Sequence, residues 1–501
     1  MMFQFQSFKP WPTFLVFLLI AALPSPGYAL PPTAPVALDS WVYPALNRLA
    51  ALGLVESSLQ GSRPYSRREA ARQVNEARGK IENESQNRAV VESFRRLRRE
   101  FAAELKMIED GVTLRSYFKP LRSLEVGYIY QEGVPSQIPA KRFGGGVSRI
   151  SAQQFSLNTN NDGLDYSEHS NVSLSLETEA RLGPLLLYWH PLLLAGEDEG
   201  ELELTTLQGL AVLGLGPVDI SVGRQSLWWG QGRHGSLVLT NNAQPLDMVR
   251  ITNPVPVLLP WVFKILGPIR FDIFWSQLEE DRVIPEPYLA GLRLNFKPIP
   301  WLELGASRTV MFGGEGRPDV DAKDFFTILT GKNLDGDEDT SNNLAALDLR
   351  LKIPFLWDAE LYSELGGEDE AGGFISNKAY LGGLYLPRIE PSGRLSLRLE
   401  YAHLSHIDDN SPMWYRHGIY QSGYTYKRKI LGHHAGGGTR DYFTEIEAWL
   451  SLQWVASLGL DYERRGEDQP IREKHFQPFC SLRWSGASGL SAEARYAYDR
   501  V

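Results

Sequence analysis

Two stretches of this 501-residue chain join flat aromatic rings to cations and contain no acid at all. Residues 220–244 carry Arg224, Gln225, Trp228, Trp229, Gln231, Arg233, His234, Asn241 and Asn242. Residues 411–438 carry Trp414, Tyr415, Arg416, His417, Tyr420, Gln421, Tyr424, Tyr426, Lys427, Arg428, Lys429, His433 and His434. Aromatic faces stack on the C–H faces of sugar rings, and guanidinium and amide groups take hydroxyls and carboxylates. In a chain with 60 acidic residues and a net charge of -9, these gaps are local positive fields suited to an acidic sugar polymer. The bland alternatives are a first stretch that packs inside the fold and a second that is simply an exposed aromatic loop.

Other chemistry is poorly supported. His433 and His434 are adjacent, so on a strand they face opposite ways, and their loop offers no carboxylate; no metal or other cofactor is expected. The acidic runs 335–339 and 368–370 lack the spacing of a calcium loop and read as solvated. No nucleophile elbow, zinc-protease helix or phosphate loop occurs, so no enzyme is expected. One cysteine, Cys480, precludes an intramolecular disulfide, and the negative charge disfavours nucleic acid.

The elements that must position these residues fall into three zones. Residues 1–29 have the layout of a secretory signal peptide: Lys9, the apolar run 14–23, Pro24 and Pro26, then Gly27-Tyr28-Ala29. Residues 30–110 are helical in period: Trp41, Ala45, Leu46, Leu49 and Leu52 share a face, Ser66 and Glu69 form a capping box, and Val90, Phe94, Leu97, Phe101 and Leu105 line a third helix from about Ser85 to Ile108. That helix also carries Arg88, Arg95, Arg96, Arg98 and Arg99, read as a solvated face.

From Gly111 to the end the period changes to two. Leu347, Leu349, Leu351 and Ile353 alternate with Asp348, Arg350 and Lys352, and Leu395, Leu397, Leu399 and Tyr401 with Ser396, Arg398 and Glu400. About 18 such runs, many near the 9–11 residues a tilted membrane strand needs, predict a transmembrane β-barrel, because a barrel is the one non-helical fold that satisfies its backbone in lipid. The longest apolar stretch, 254–269, is broken by prolines and Lys264. Trp275, Tyr288, Trp301, Trp357, Tyr380, Trp449, Trp454 and Trp484 fit interfacial girdles. Tyr496 and Tyr498 resemble the terminal signal of outer-membrane barrels, although Glu493 replaces its glycine and Arg500 and Val501 follow.

Residues 40–46 (SWVYPAL), 64–71 (PYSRREAA), 223–230 (GRQSLWWG) and the tyrosine-rich segment from Arg416 to His434 together resemble the Wzi-type capsule assembly family. The resemblance implies an all-β outer-membrane barrel of about 18 antiparallel strands over residues 111–501, with loops folded into the lumen and a small periplasmic helical bundle. It implies a surface lectin that attaches capsular polysaccharide, which the two acid-free stretches suggest is acidic; outer-membrane lipid is expected around the barrel, and peptidoglycan or periplasmic proteins are candidate partners of the bundle. Residues 46–54 and 64–71 are also similar to an S-layer homology module, which binds cell wall. The expected polysaccharide contacts are Trp414, Tyr415, Arg416, His417, Tyr420, Tyr424, Lys427, Arg428, Trp228, Trp229, Arg233 and His234. The competing function is a porin, because inward Arg293, Lys297, Arg350, Lys352, Arg398, Glu400 and Asp461 could equally line an aqueous pore.

Overall fold

The computed structural model describes residues 31–83, 88–110, 116–133, 142–143, 146–147, 157–197, 202–318, 320–321, 341–368, 378–404, 414–451, 453–467, 472–486 and 489–501. The leader and most of the acidic runs lie outside them, as does the junction at Gly111.

Among the described residues four helices precede the barrel strands: α1 (Val42–Ala51), α2 (Arg67–Asn83), α3 (Arg88–Glu100) and α4 (Ala102–Glu109). The Ser66 hydroxyl accepts the Glu69 N–H at 3.1 Å, which starts α2 as the capping pattern predicts. Leu46, Leu49, Ala70, Val74, Phe94, Leu97 and Phe101 interlock in one core, where each large aliphatic or aromatic side chain contributes about 1.5–3 kcal/mol. The expected third helix is two. At Phe101 the backbone leaves helical geometry (φ -105°, ψ 22°) while the ring stays fully buried beneath the Arg67 guanidinium, so packing of one side chain turns the chain.

Eighteen strand segments close into one barrel, among them a two-residue piece, Val257–Leu258, inside a turn. Successive strands pair antiparallel, for example Leu349 with Leu304 on one side and with Ser363 on the other. The register agrees with the alternation: Leu347 and Leu349 are exposed on the outer face, whereas Asp348 and Arg350 are buried inside. The reverse register would set charges in hydrocarbon at about 2–4 kcal/mol each near the midplane. Among the described residues no helix is long and apolar enough to cross a membrane, and the 254–269 stretch folds into an exposed 3-10 turn, Trp261–Leu266.

Short turns gather at one barrel end and long connections at the other. The helices sit on the short-turn end, where Arg48 donates to the Gly393 carbonyl and Arg270 to the carbonyls of Ser62 and Pro64 at 3.1 and 2.9 Å. Trp301, Trp357, Tyr380 and Trp454 are exposed as girdle residues should be. Trp449 departs from that reading: its ring lies under Arg48 at 4.9 Å and packs on the helical core. Tyr496 pairs with Cys480 in mid-strand and Arg500 bridges Phe476, so the last strand runs from a short turn towards the long-connection end, away from the helices.

Candidate functional site in the barrel lumen

The inward positions of the strands supply a ring of carboxylates: Glu303, Asp348, Glu360, Glu364, Glu400 and Asp461, all buried. A buried acid needs donors, and the first acid-free stretch provides them. Residues 226–245 leave their strand and fold into the lumen. There Glu364 accepts the N–H groups of Gly232 and Leu237 at 2.8 and 2.9 Å, and Glu400 those of Arg233 and His234 at 2.7 and 2.8 Å. Gln231 donates to Asp348 at 2.7 Å and Glu303 at 3.1 Å, and Arg350 donates to its side-chain and backbone oxygens at 2.9 and 2.8 Å. Gly230 has φ 139°, and a side chain there would strike Ser236 and Glu364.

The other end of the plug comes from before the barrel. Ser62 and Arg63 form a two-stranded ribbon with Trp228 and Trp229, and Glu303 accepts the Gln60 and Gly61 N–H groups, each at 2.9 Å. Alternation on this ribbon separates the two tryptophans. Trp229 enters the lumen core beside Phe274, whereas Trp228 enters the helical core, its indole N–H donating to the Gly232 carbonyl at 3.1 Å.

The second acid-free stretch lies over the first. Tyr415 donates its hydroxyl proton to the Leu237 carbonyl at 2.6 Å and accepts the His433 N–H at 2.8 Å. Thr240 donates to the Gly432 carbonyl at 2.6 Å, and the Tyr424 hydroxyl to Thr309 at 2.9 Å. Trp414, Tyr415, Tyr420, Tyr424, Trp229, Leu237 and Leu239 share one core.

These positions correct the expected contacts. Trp414, Tyr415, Tyr420, Tyr424, Trp228 and Trp229 are at most 3% exposed, so no ring offers a free stacking face. Arg416 and His417 are buried too; the His417 ring accepts the Ile419 and Tyr420 N–H groups at 3.2 Å and shapes the local turn. Arg233 and His234 are held by Glu400 through their backbone, half-buried inside the barrel. Lys427 and Arg428 alone of the twelve remain at the surface. They tip a hairpin between Thr425–Tyr426 and Lys429–Ile430, where both take left-handed backbone (φ 46° and 69°). A two-residue turn of this kind favours Asn-Gly, and each non-glycine costs about 1–2 kcal/mol. Lys427 reaches Gln244 at 2.9 Å, and Arg428 pairs with exposed Asp281 at 2.8 Å.

The expected opposition of His433 and His434 also fails, because both lie in a loop: their rings stack at 4.7 Å, and each lies within 4.0 Å of Asp441. Burial pushes both imidazoles below the ordinary histidine range. Burial also lowers His234, but Asp461 beside its ring outweighs that and holds it above the ordinary value. Of the wall acids, Asp348, Glu400 and Asp461 are on the inward beat read from sequence, whereas Glu303, Glu360, Glu364 and the Leu59–Arg63 segment are not singled out there. The signal was present in the isolated acids on the inward beat, Glu303, Glu364 and Glu400, in a chain with acid-free loops.

Residues 138–501 match the family model of the capsule assembly protein Wzi. A Klebsiella pneumoniae protein described as an uncharacterized 55.8 kDa protein in the cps region is 35% identical over 171 residues, 33% of each chain; the match thus spans about a third of that relative. Among solved structures, Wzi of Escherichia coli, described as an outer-membrane protein involved in group 1 capsule assembly and a carbohydrate-binding β-barrel, superposes with a TM-score of 0.69 at 21% identity, over 94% of this chain and 96% of that one. Pseudomonas aeruginosa OccK5 follows with a TM-score of 0.42 at 12% identity, over 67% and 89% of the two chains. The chain belongs to the capsule assembly protein Wzi family.

Proposed function

We propose that this protein is a non-enzymatic outer-membrane anchor that holds an acidic capsular polysaccharide at the cell surface, with its helices in the periplasm. The observation that carries this reading is the lumen, filled by residues 226–245, which with Gln60 and Gly61 satisfy the wall carboxylates, and overlaid by residues 414–438. A porin needs that space for solute, so the filled bore favours binding over conduction. The membrane setting is supported by the outward apolar face of the strands, and the orientation by the short turns beside the helices.

Contact with polymer then falls to the surface-facing end, where Lys427 and Arg428 stand on a turn whose geometry costs free energy to hold. Such cost is tolerated where side-chain placement has a use. One exposed ion pair contributes about 0.5–1 kcal/mol, so retention depends on many repeat units meeting several barrels. In a capsulated strain lacking the native gene and complemented with this one, changing Lys427→Ala and Arg428→Ala together should leave surface barrel unchanged and shift polymer into the medium. Full retention by the double variant at normal surface level would remove these two residues from the site.

A further inference from the structure

At one side of the lumen the two plug segments and two wall strands converge on a compact set of donors. His234 comes from the first segment, His434 from the second, Asp441 from the strand Arg440–Trp449 and Asp461 from Trp454–Arg465. One ligand atom from each lies within 4.8 Å of all the others. Asp441 and Asp461 are 2% and 4% exposed, and one oxygen of each, with the His434 Nε2, has no hydrogen-bond partner. The Glu463 Oε1 stands 3.3 Å from that same His434 Nε2, on the side facing the cluster, and its carboxylate is also paired with Arg465. Three buried carboxylates thus crowd a single guanidinium, so two of them need protons, imidazolium partners or a bound cation. Buried charge without a counter-charge is costly, and a divalent cation supplies both charges at once.

We propose that His234, His434, Asp441 and Asp461 form a tetrahedral site for a zinc-class divalent cation, which fastens both plug segments to the barrel wall. Two imidazoles and two carboxylates suit zinc, whose bonds of about 2.0–2.2 Å set donors roughly 3.3–3.6 Å apart. The present separations bracket that spacing: the His234 Nε2 is 2.9 Å from Asp461 and 3.6 Å from Asp441, and the His434 Nε2 is 4.0 Å from Asp441. The Asn160 amide nitrogen donates to the His234 carbonyl at 2.7 Å and lies 3.4 Å from the His434 Nδ1, so one side chain spans the two plug segments beside the cluster. His433, 3.5 Å from the same Asp441, is the adjacent spare donor.

The test uses the full-length barrel purified in detergent, stripped with EDTA and dialysed, then titrated with zinc ion against a chromogenic chelator. One zinc per chain is expected. The pair Asp441→Asn and Asp461→Asn should weaken uptake by at least about 100-fold, because losing a ligand costs no less than losing an outer partner. His475→Gln, which disturbs a separate histidine held between Glu473 and Asp499, should leave uptake unchanged. Cobalt ion added to the stripped native protein gives a second readout that needs no variant: intense visible bands of a tetrahedral site are expected. Absence of saturable zinc uptake, equal uptake by the asparagine pair, or only the weak spectrum of hydrated cobalt would each overturn the site.

Discussion

The two acid-free segments look alike as sequence and behave differently as structure. Residues 226–245 bury nearly everything and spend their donors on the wall: the N–H groups of Gly232, Arg233, His234 and Leu237 all end on Glu364 or Glu400. Residues 414–438 bury their rings in the same core, yet lift Lys427 and Arg428 out on a hairpin tip. A positive gap in an acidic chain therefore has two physical meanings. It can await an external anion, or it can answer acids buried elsewhere in the fold. The first segment is of the second kind, and the proposed function assigns the first meaning only to the tip of the second segment.

The largest effect should come from breaking the inner segment's anchors. Glu364→Ala with Glu400→Ala leaves four N–H groups inside the lumen without these partners, at about 1–3 kcal/mol for each of the two fully buried ones and less for the half-buried pair. The plug should loosen while the barrel stays assembled, seen as new protease cleavage within residues 226–245. Next, Leu349→Arg places a charge on the lipid face and should cost about 2–4 kcal/mol, lowering the amount of heat-resistant barrel in the outer membrane. The matched Arg350→Leu should instead act on the plug, since Arg350 holds Gln231 and Glu360. A smaller loss, about 0.5–1.5 kcal/mol in thermal unfolding, is expected for Tyr420→Phe, which removes one hydrogen bond to the Gly313 carbonyl at 3.1 Å. The smallest is Arg428→Ala alone, about 0.5–1 kcal/mol per polymer contact, which should weaken retention less than the Lys427/Arg428 pair and should fade as added salt screens the native protein.

Much of the frame was legible because it rests on local periodicity. The beat of two around Leu347–Ile353 fixed which side chains meet lipid, and Ser66 with Glu69 marked the start of α2. The site was far less legible, because its partners are distant in sequence. Trp229 is a tryptophan in an acid-free loop until Phe274 and Ser62 are seen beside it. His433 and His434 have no carboxylate nearby in their own loop, and the acids that face them come from two wall strands. Aromatic and cationic residues suit both sugar binding and interior packing, and burial, which decides between them, is a property of the closed barrel.

A bore filled by its own chain, in a protein that binds instead of conducting, can be checked by electrical recording of the purified barrel in a planar lipid bilayer. The native protein should show no steady conductance, with openings emerging in the Glu364→Ala, Glu400→Ala variant. Large, steady single-channel steps from the native protein would contradict it.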